Sequence, residues 1–81
     1  MRIPRDLSGT DLVKALRRVG YESSRQAGSH IRLVTTEHGQ HHVTVPNHNP
    51  LKVGTLSGIL GDVAAHLEIS RDELARRLFG S

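Results

Sequence analysis

The 81-residue chain has no cysteine and no tryptophan, and Tyr21 and Phe79 are its only aromatic residues. Without cysteine there is neither a disulfide framework nor a thiolate metal site, and a reducing compartment is compatible with the chain. With two aromatics the base-stacking platforms of aromatic-faced RNA-binding sheets and oligonucleotide-binding barrels cannot be assembled. Any nucleic acid must then be held through phosphates and backbone shape. No apolar run approaches the roughly 20 residues that span a bilayer. The stretch Met1-Arg2-Ile3-Pro4-Arg5-Asp6 lacks the apolar region of an export signal. A cytoplasmic protein with no membrane partner is expected. A chain of this length buries only about 60–65% of its unfolded surface, which favours an open working surface over a deep cavity.

What is present begins with charge. Residues 1–60 carry eight Lys and Arg against four Asp and Glu, whereas residues 61–81 carry three against four. The basic excess lies in the front of the chain, and six histidines add positive charge below neutrality. An anionic partner such as RNA or DNA fits this distribution, as does an ordinary basic surface.

The order of elements reads as helix, three strands, helix, helix, in a single domain over residues 1–81. Ser8 is placed to cap a helix over about residues 9–19, with Asp11 in its first turn and Leu12, Val13, Leu16 and Val19 at helical spacing. Tyr21 to Gln26 is a weak strand, and Gln26-Ala27-Gly28-Ser29 reads as a turn. Ile31 to Val34 and Val43 to Val45 alternate as half-buried strands, joined by a three-residue loop, Glu37-His38-Gly39. Pairing Thr36 with Gln40 sets Leu33 opposite Val43 and Ile31 opposite Val45 on a core face. His30, Arg32, His42 and Thr44 then share a polar face; a slip of one residue would mix the two. Thr55 is expected to cap a helix striped by Leu56, Ile59, Leu60, Val63 and Leu67. Ser70 with Glu73 is expected to form a capping box, stapled by Ile69 and Leu74, for a last helix.

Gly28-Ser29-His30 is the most informative segment. A histidine at a strand start, beside a glycine turn and near Arg25 and Arg32, has the makings of a general acid-base group facing an anionic substrate. RNA suits it, because the 2′-hydroxyl is a built-in nucleophile that needs deprotonation, leaving-group protonation and charge stabilisation. A solvent-exposed histidine without function is the plain alternative. Arg32 is placed to hold a phosphate, and Lys52 beside the amides of a helix start at Gly54-Thr55 offers another anion contact, where simple capping is the alternative. His38, His41, His42 and His48 raise the question of zinc. His41 and His42 point to opposite faces of a strand, no cysteine is present and Glu37 is the only nearby carboxylate, so no metal is expected. The last two helices also have the outline of a helix-turn-helix with Arg71, Arg76 and Arg77 on a recognition helix, which keeps a non-catalytic RNA- or DNA-binding module open as the alternative.

Taken in order, Ile3-Pro4-Arg5, Leu7-Ser8-Gly9, Arg25-Gln26-Ala27-Gly28-Ser29-His30, Val43-Thr44-Val45-Pro46 with His48, and Gly54-Thr55-Leu56 to Ile59-Leu60 resemble the HicA family of bacterial mRNA interferase toxins. The resemblance implies an α+β fold like a double-stranded-RNA-binding domain, α-β-β-β-α with an added short C-terminal helix, its antiparallel three-stranded sheet covered by helices on one face. It implies metal-independent endoribonuclease action on messenger RNA without a cofactor, a HicB-type antitoxin that covers the active site, and His30 as the catalytic residue with Gly28 and Ser29 in the same motif. Arg25, Arg32 and Lys52 are the further RNA-contacting candidates. The lysine-rich helix start of ordinary double-stranded-RNA-binding domains is replaced here by Gly54-Thr55-Leu56, which argues against simple duplex clamping.

Overall fold

The computed structural model describes residues 3–80. Met1 and Arg2, which belong to the stretch read above for an export signal, and Ser81 lie outside the described residues. Helix α1 (Gly9–Leu16) opens on a complete capping box: Ser8 accepts from the Asp11 amide while the Asp11 carboxylate accepts from the Ser8 amide. Its last turn tightens into a 3₁₀ turn at Arg17–Val19 and stops at Gly20, whose φ of +98° a side chain would resist.

Three antiparallel strands follow in the order β1 (Glu22–Ala27), β2 (His30–Thr35) and β3 (His41–Pro46). Between β2 and β3 the pairs Ile31–Val45 and Leu33–Val43 form as the alternation of apolar residues requires. The last pair is Thr35–His41, so the connecting loop is 36–40, with His38 and Gly39 both at positive φ. β1 extends to Ala27, past the expected turn at 26–29, and the β1–β2 connection is Gly28-Ser29 alone. Gly28, at φ +58° in the first central position, gives the twist that a two-residue hairpin needs. A bulge between Ser23 and Arg25 leaves Ser24 unpaired, and its hydroxyl donates to the Arg32 carbonyl. The extra residue shifts the parity of β1, placing Arg25 opposite the exposed Arg32 and Ser23 opposite the buried Leu33.

Helix α2 (Val53–Leu67) starts two residues before the expected cap. Lys52 is the N-cap and provides no side-chain hydrogen bond, while Thr55 lies within the first turn. The start is fixed instead by burial of Leu51 and by its amide, which donates to the Leu7 carbonyl at 2.8 Å. Helix α3 (Arg71–Phe79) is capped by Ser70, which accepts from the Glu73 amide. The Glu73 carboxylate does not return to the cap, so the expected box is half formed. It pairs with Arg76 and Arg77 one turn on.

One core joins these elements. Leu12 and Leu16 of α1, Leu60, Val63 and Leu67 of α2, and Leu74 and Leu78 of α3 pack with Ile31, Leu33, Val43 and Val45 from one face of the sheet. His30, Arg32, His42 and Thr44 on the opposite face are exposed, so the helices cover one side of the sheet only. The fold is α+β with the double-stranded-RNA-binding-domain arrangement. Gly9 tightens one corner: a Cβ there would collide with the Pro46 carbonyl oxygen, and its amide donates to the His48 carbonyl at 2.8 Å.

Candidate functional site

The uncovered face of the sheet reads as three cross-strand rows. The first is Ala27, His30 and Pro46; the second is Arg25, Arg32 and Thr44; the third is Glu22, Val34 and His42. His30 begins β2 directly after the Gly28-Ser29 turn. The turn is tied to the end of β3, because the Asn47 amide donates to the Ser29 carbonyl at 2.6 Å. The His30 ring is thereby anchored through its backbone on two sides while its side chain faces solvent.

The next row places two arginines at directly opposed strand positions. Like charges at opposed positions repel, so this row favours an anion over a further cation. The ion pairs among the described residues are His41 with Asp62 and Glu73 with Arg76 and Arg77; none reaches His30, Arg25 or Arg32. The Arg32 Nε donates to His42 Nδ1 at 3.4 Å. Gly28, Ser29, His30, Arg25 and Arg32 are therefore brought together on one open surface. Lys52 is exposed at the start of α2, at the end of the loop 47–51 that leaves Asn47, and it does not join the rows. A concavity of about 910 Å³ between the segment Ile3–Arg5 and α3 has no sheet residue in its lining. The sheet face is a platform rather than a pocket.

A second group of titratable side chains lies across the sheet, at the end of the β2–β3 hairpin. Tyr21, with none of its surface exposed, meets His41 Nδ1 through its hydroxyl at 2.8 Å, and His41 Nε2 lies 3.3 Å from Asp62 Oδ1. The carboxylate only accepts, so His41 carries its proton on Nε2 and accepts from the tyrosine at Nδ1. His66 stacks on His41 with ring centres 4.3 Å apart, and its Nε2 donates to the Glu37 and Gly39 carbonyls at 2.9 and 3.0 Å. Burial, and then the nearby Asp62 charge, push the Tyr21 hydroxyl up to about 12. A phenol that holds its proton so firmly and has no surface is no nucleophile; the array clamps α2 to the hairpin. Its signal in the sequence is the parity of His41, which shares a face with Val43 and Val45, but its partners are distant in the chain.

Among the described residues no three histidine, aspartate or glutamate side chains converge as a metal site. The arginines of the last helix are also engaged. Arg71 donates to the Ser57 carbonyl and hydroxyl, while Arg76 and Arg77 hold Glu73. Arg71 is thus tied to α2, while the exposed Arg76 and Arg77 share a single carboxylate and keep further N–H groups towards solvent. No helix among the described residues is long and apolar enough to cross a membrane.

Among comparisons with known proteins, no curated protein and no solved structure matches the chain. A family profile does match, described as the HicA toxin of bacterial toxin–antitoxin systems, over residues 9–64. That span runs from the start of α1 through all three strands into α2, and it includes the Gly28-Ser29-His30 turn and all three cross-strand rows of the open face. The chain belongs to the HicA toxin family of bacterial toxin–antitoxin systems.

Proposed function

We propose that the protein is a metal-independent endoribonuclease that cleaves messenger RNA on the open face of its sheet, with His30 as the general acid-base group. The carrying observation is an exposed imidazole whose backbone is held by a two-residue turn and by the Asn47 bond to Ser29, beside two arginines at opposed positions that have no carboxylate partner among the described residues.

In this reading the His30 ring takes the proton of a ribose 2′-hydroxyl as that oxygen attacks the adjacent phosphorus. The bond from phosphorus to the 5′-oxygen breaks, and the protonated ring returns a proton to the leaving oxygen, so that a 2′,3′-cyclic phosphate and a 5′-hydroxyl are left. Arg32, and Arg25 across from it, offset the charge that develops on the phosphoryl oxygens. Gly28 keeps the approach free of a side chain, since a Cβ there would meet nothing within 4 Å yet would strain the backbone at φ +58°. Ser29 orients the turn through its carbonyl. Lys52 holds a phosphate farther along the strand. A HicB-type antitoxin neutralises the toxin by covering the same face.

Incubating wild type and His30→Ala with mixed RNA in a chelator tests the reading. Wild type is expected to cleave, and the variant to be slower by about 10² to 10⁴, the usual contribution of a positioned acid-base group. Equal cleavage by both proteins, or cleavage that stops with chelator, would sink the assignment.

A further inference from the structure

The uncovered face carries one basic residue that the cleavage chemistry does not use. His42 lies on the third row, exposed, and is held by its neighbours in a defined orientation. Because Arg32 Nε donates to its Nδ1, that nitrogen is the acceptor, and the remaining proton of a neutral ring sits on Nε2. The same contact leaves both terminal amino groups of Arg32 free of that bond. Among the described residues Gln40 is the side chain nearest His42 Nε2; its amide nitrogen, 3.3 Å away, is a donor like the protonated Nε2 and gains nothing there, so the exposed Gln40 is free to swing aside.

Resting on the reading of this face as an RNA-binding surface, we propose that His42, oriented by Arg32, forms a separate subsite for a phosphate of single-stranded RNA, outside the cleaved linkage. At about 3.3 Å per residue, the four positions from His30 to Val34, whose partner is His42, span about 13 Å along the sheet. This exceeds what a single nucleotide covers, so the phosphate met at His42 is not the one cleaved at His30. Arg32 sits between them and links the two ends of the track. Glu22 occupies the β1 end of the third row, two strands from His42 and so about 10 Å away. Its charge repels the RNA backbone there and directs the strand over β3. The subsite asks for length in the substrate and reads no base, in keeping with a face that has no aromatic residue among its three rows.

The test uses the full chain carrying His30→Ala, so that RNA survives, and fluorescence anisotropy with labelled dinucleotide and hexanucleotide RNA. Adding His42→Ala is expected to weaken hexanucleotide binding about tenfold, as loss of one charge-assisted hydrogen bond does, and to leave the dinucleotide unchanged. The slope of log affinity against log salt for the hexanucleotide should stay as it is, because a neutral imidazole donates a hydrogen bond to the phosphate without displacing a counterion. His42→Gln, which keeps an amide donor near the position of Nε2, should restore part of the affinity. Equal losses for both lengths, or no loss for either, would overturn the subsite, provided that circular dichroism melting shows the variant folded. Unchanged RNA affinity with weakened antitoxin binding would give His42 to the protein interface and likewise reject it. Absence of RNA cleavage by wild type, with the length-dependent loss still present, would reject the nuclease reading and leave the subsite standing.

Discussion

His30 and His41 sit at opposite ends of one hairpin, on opposite faces of the sheet, and their surroundings are opposite in kind. The His41 ring has both nitrogens engaged, by Tyr21 and Asp62, and a second imidazole stacked on it. The His30 ring faces solvent, with its backbone tied down and a row of arginines beside it. The lesson is that a histidine is made structural or chemical by what occupies its nitrogens. Saturation turns it into a clamp; freedom on a rigid mount leaves it able to exchange protons.

The sharpest way to break this contrast is to exchange the expected phenotypes. His30→Ala should remove cleavage by the factor given above while shifting the melting temperature by little; a large loss of stability instead would make His30 a second clamp. His41→Ala should do the reverse. It leaves the Tyr21 hydroxyl buried without an acceptor and unstacks His66, a cost of about 2 kcal/mol that lowers the melting temperature by roughly 10 °C. RNA cleavage by the folded fraction should stay near the wild-type rate. Gly28→Ala tests the mount itself: a side chain at φ +58° costs about 1 kcal/mol, and the accompanying shift of the turn should reduce cleavage more than it reduces stability.

A subtler test follows the tyrosine. Its proton is held in the folded chain up to about pH 12, against an ordinary value of 10.0. Between these values the unfolded chain gives up the proton and the folded chain keeps it. The contribution is therefore fully present below pH 10.0 and is lost as pH rises towards 12. Urea midpoints measured across that window should fall for wild type and flatten for Tyr21→Phe. The smallest effect is expected at Glu73, whose carboxyl is held below its usual value first by the hydrogen bond from Arg76 and then by that from Arg77. Its contribution is present above the ordinary carboxylate value and disappears as pH falls through the lowered one. Because the pairs are exposed, Glu73→Gln should change acid melts only slightly.

Some of this contrast is legible in the residues. Alternation in Ile31 to Val34 and Val43 to Val45 fixes the register, and the register fixes which face carries His30 and Arg32, because only one pairing keeps apolar residues together. The Ser8 and Asp11 pair likewise announces its helix. The start of α2 is not legible from capping rules, since no side chain performs the cap and the decisive contact is between Leu51 and Leu7, far apart in the chain. The Ser24 bulge also escapes a reading of composition; it is a backbone event in a strand of polar residues, and it decides that Arg25 faces the same way as His30. Tyr21, His41, Asp62 and His66 come from four separate segments, and local periodicity says nothing of their meeting.

The contact at Gly9 has a mechanical corollary. With the helix backbone seated against the Pro46 carbonyl, and the neighbouring amides engaging His48 and Ser29, there is no compliant layer between the start of α1 and the strand end beside His30. A load applied at Asn47 and His48 would meet the start of α1 directly through these backbone contacts. A methyl group introduced at position 9 would act as a wedge, prising the hairpin turn from its support without touching any residue on the open face.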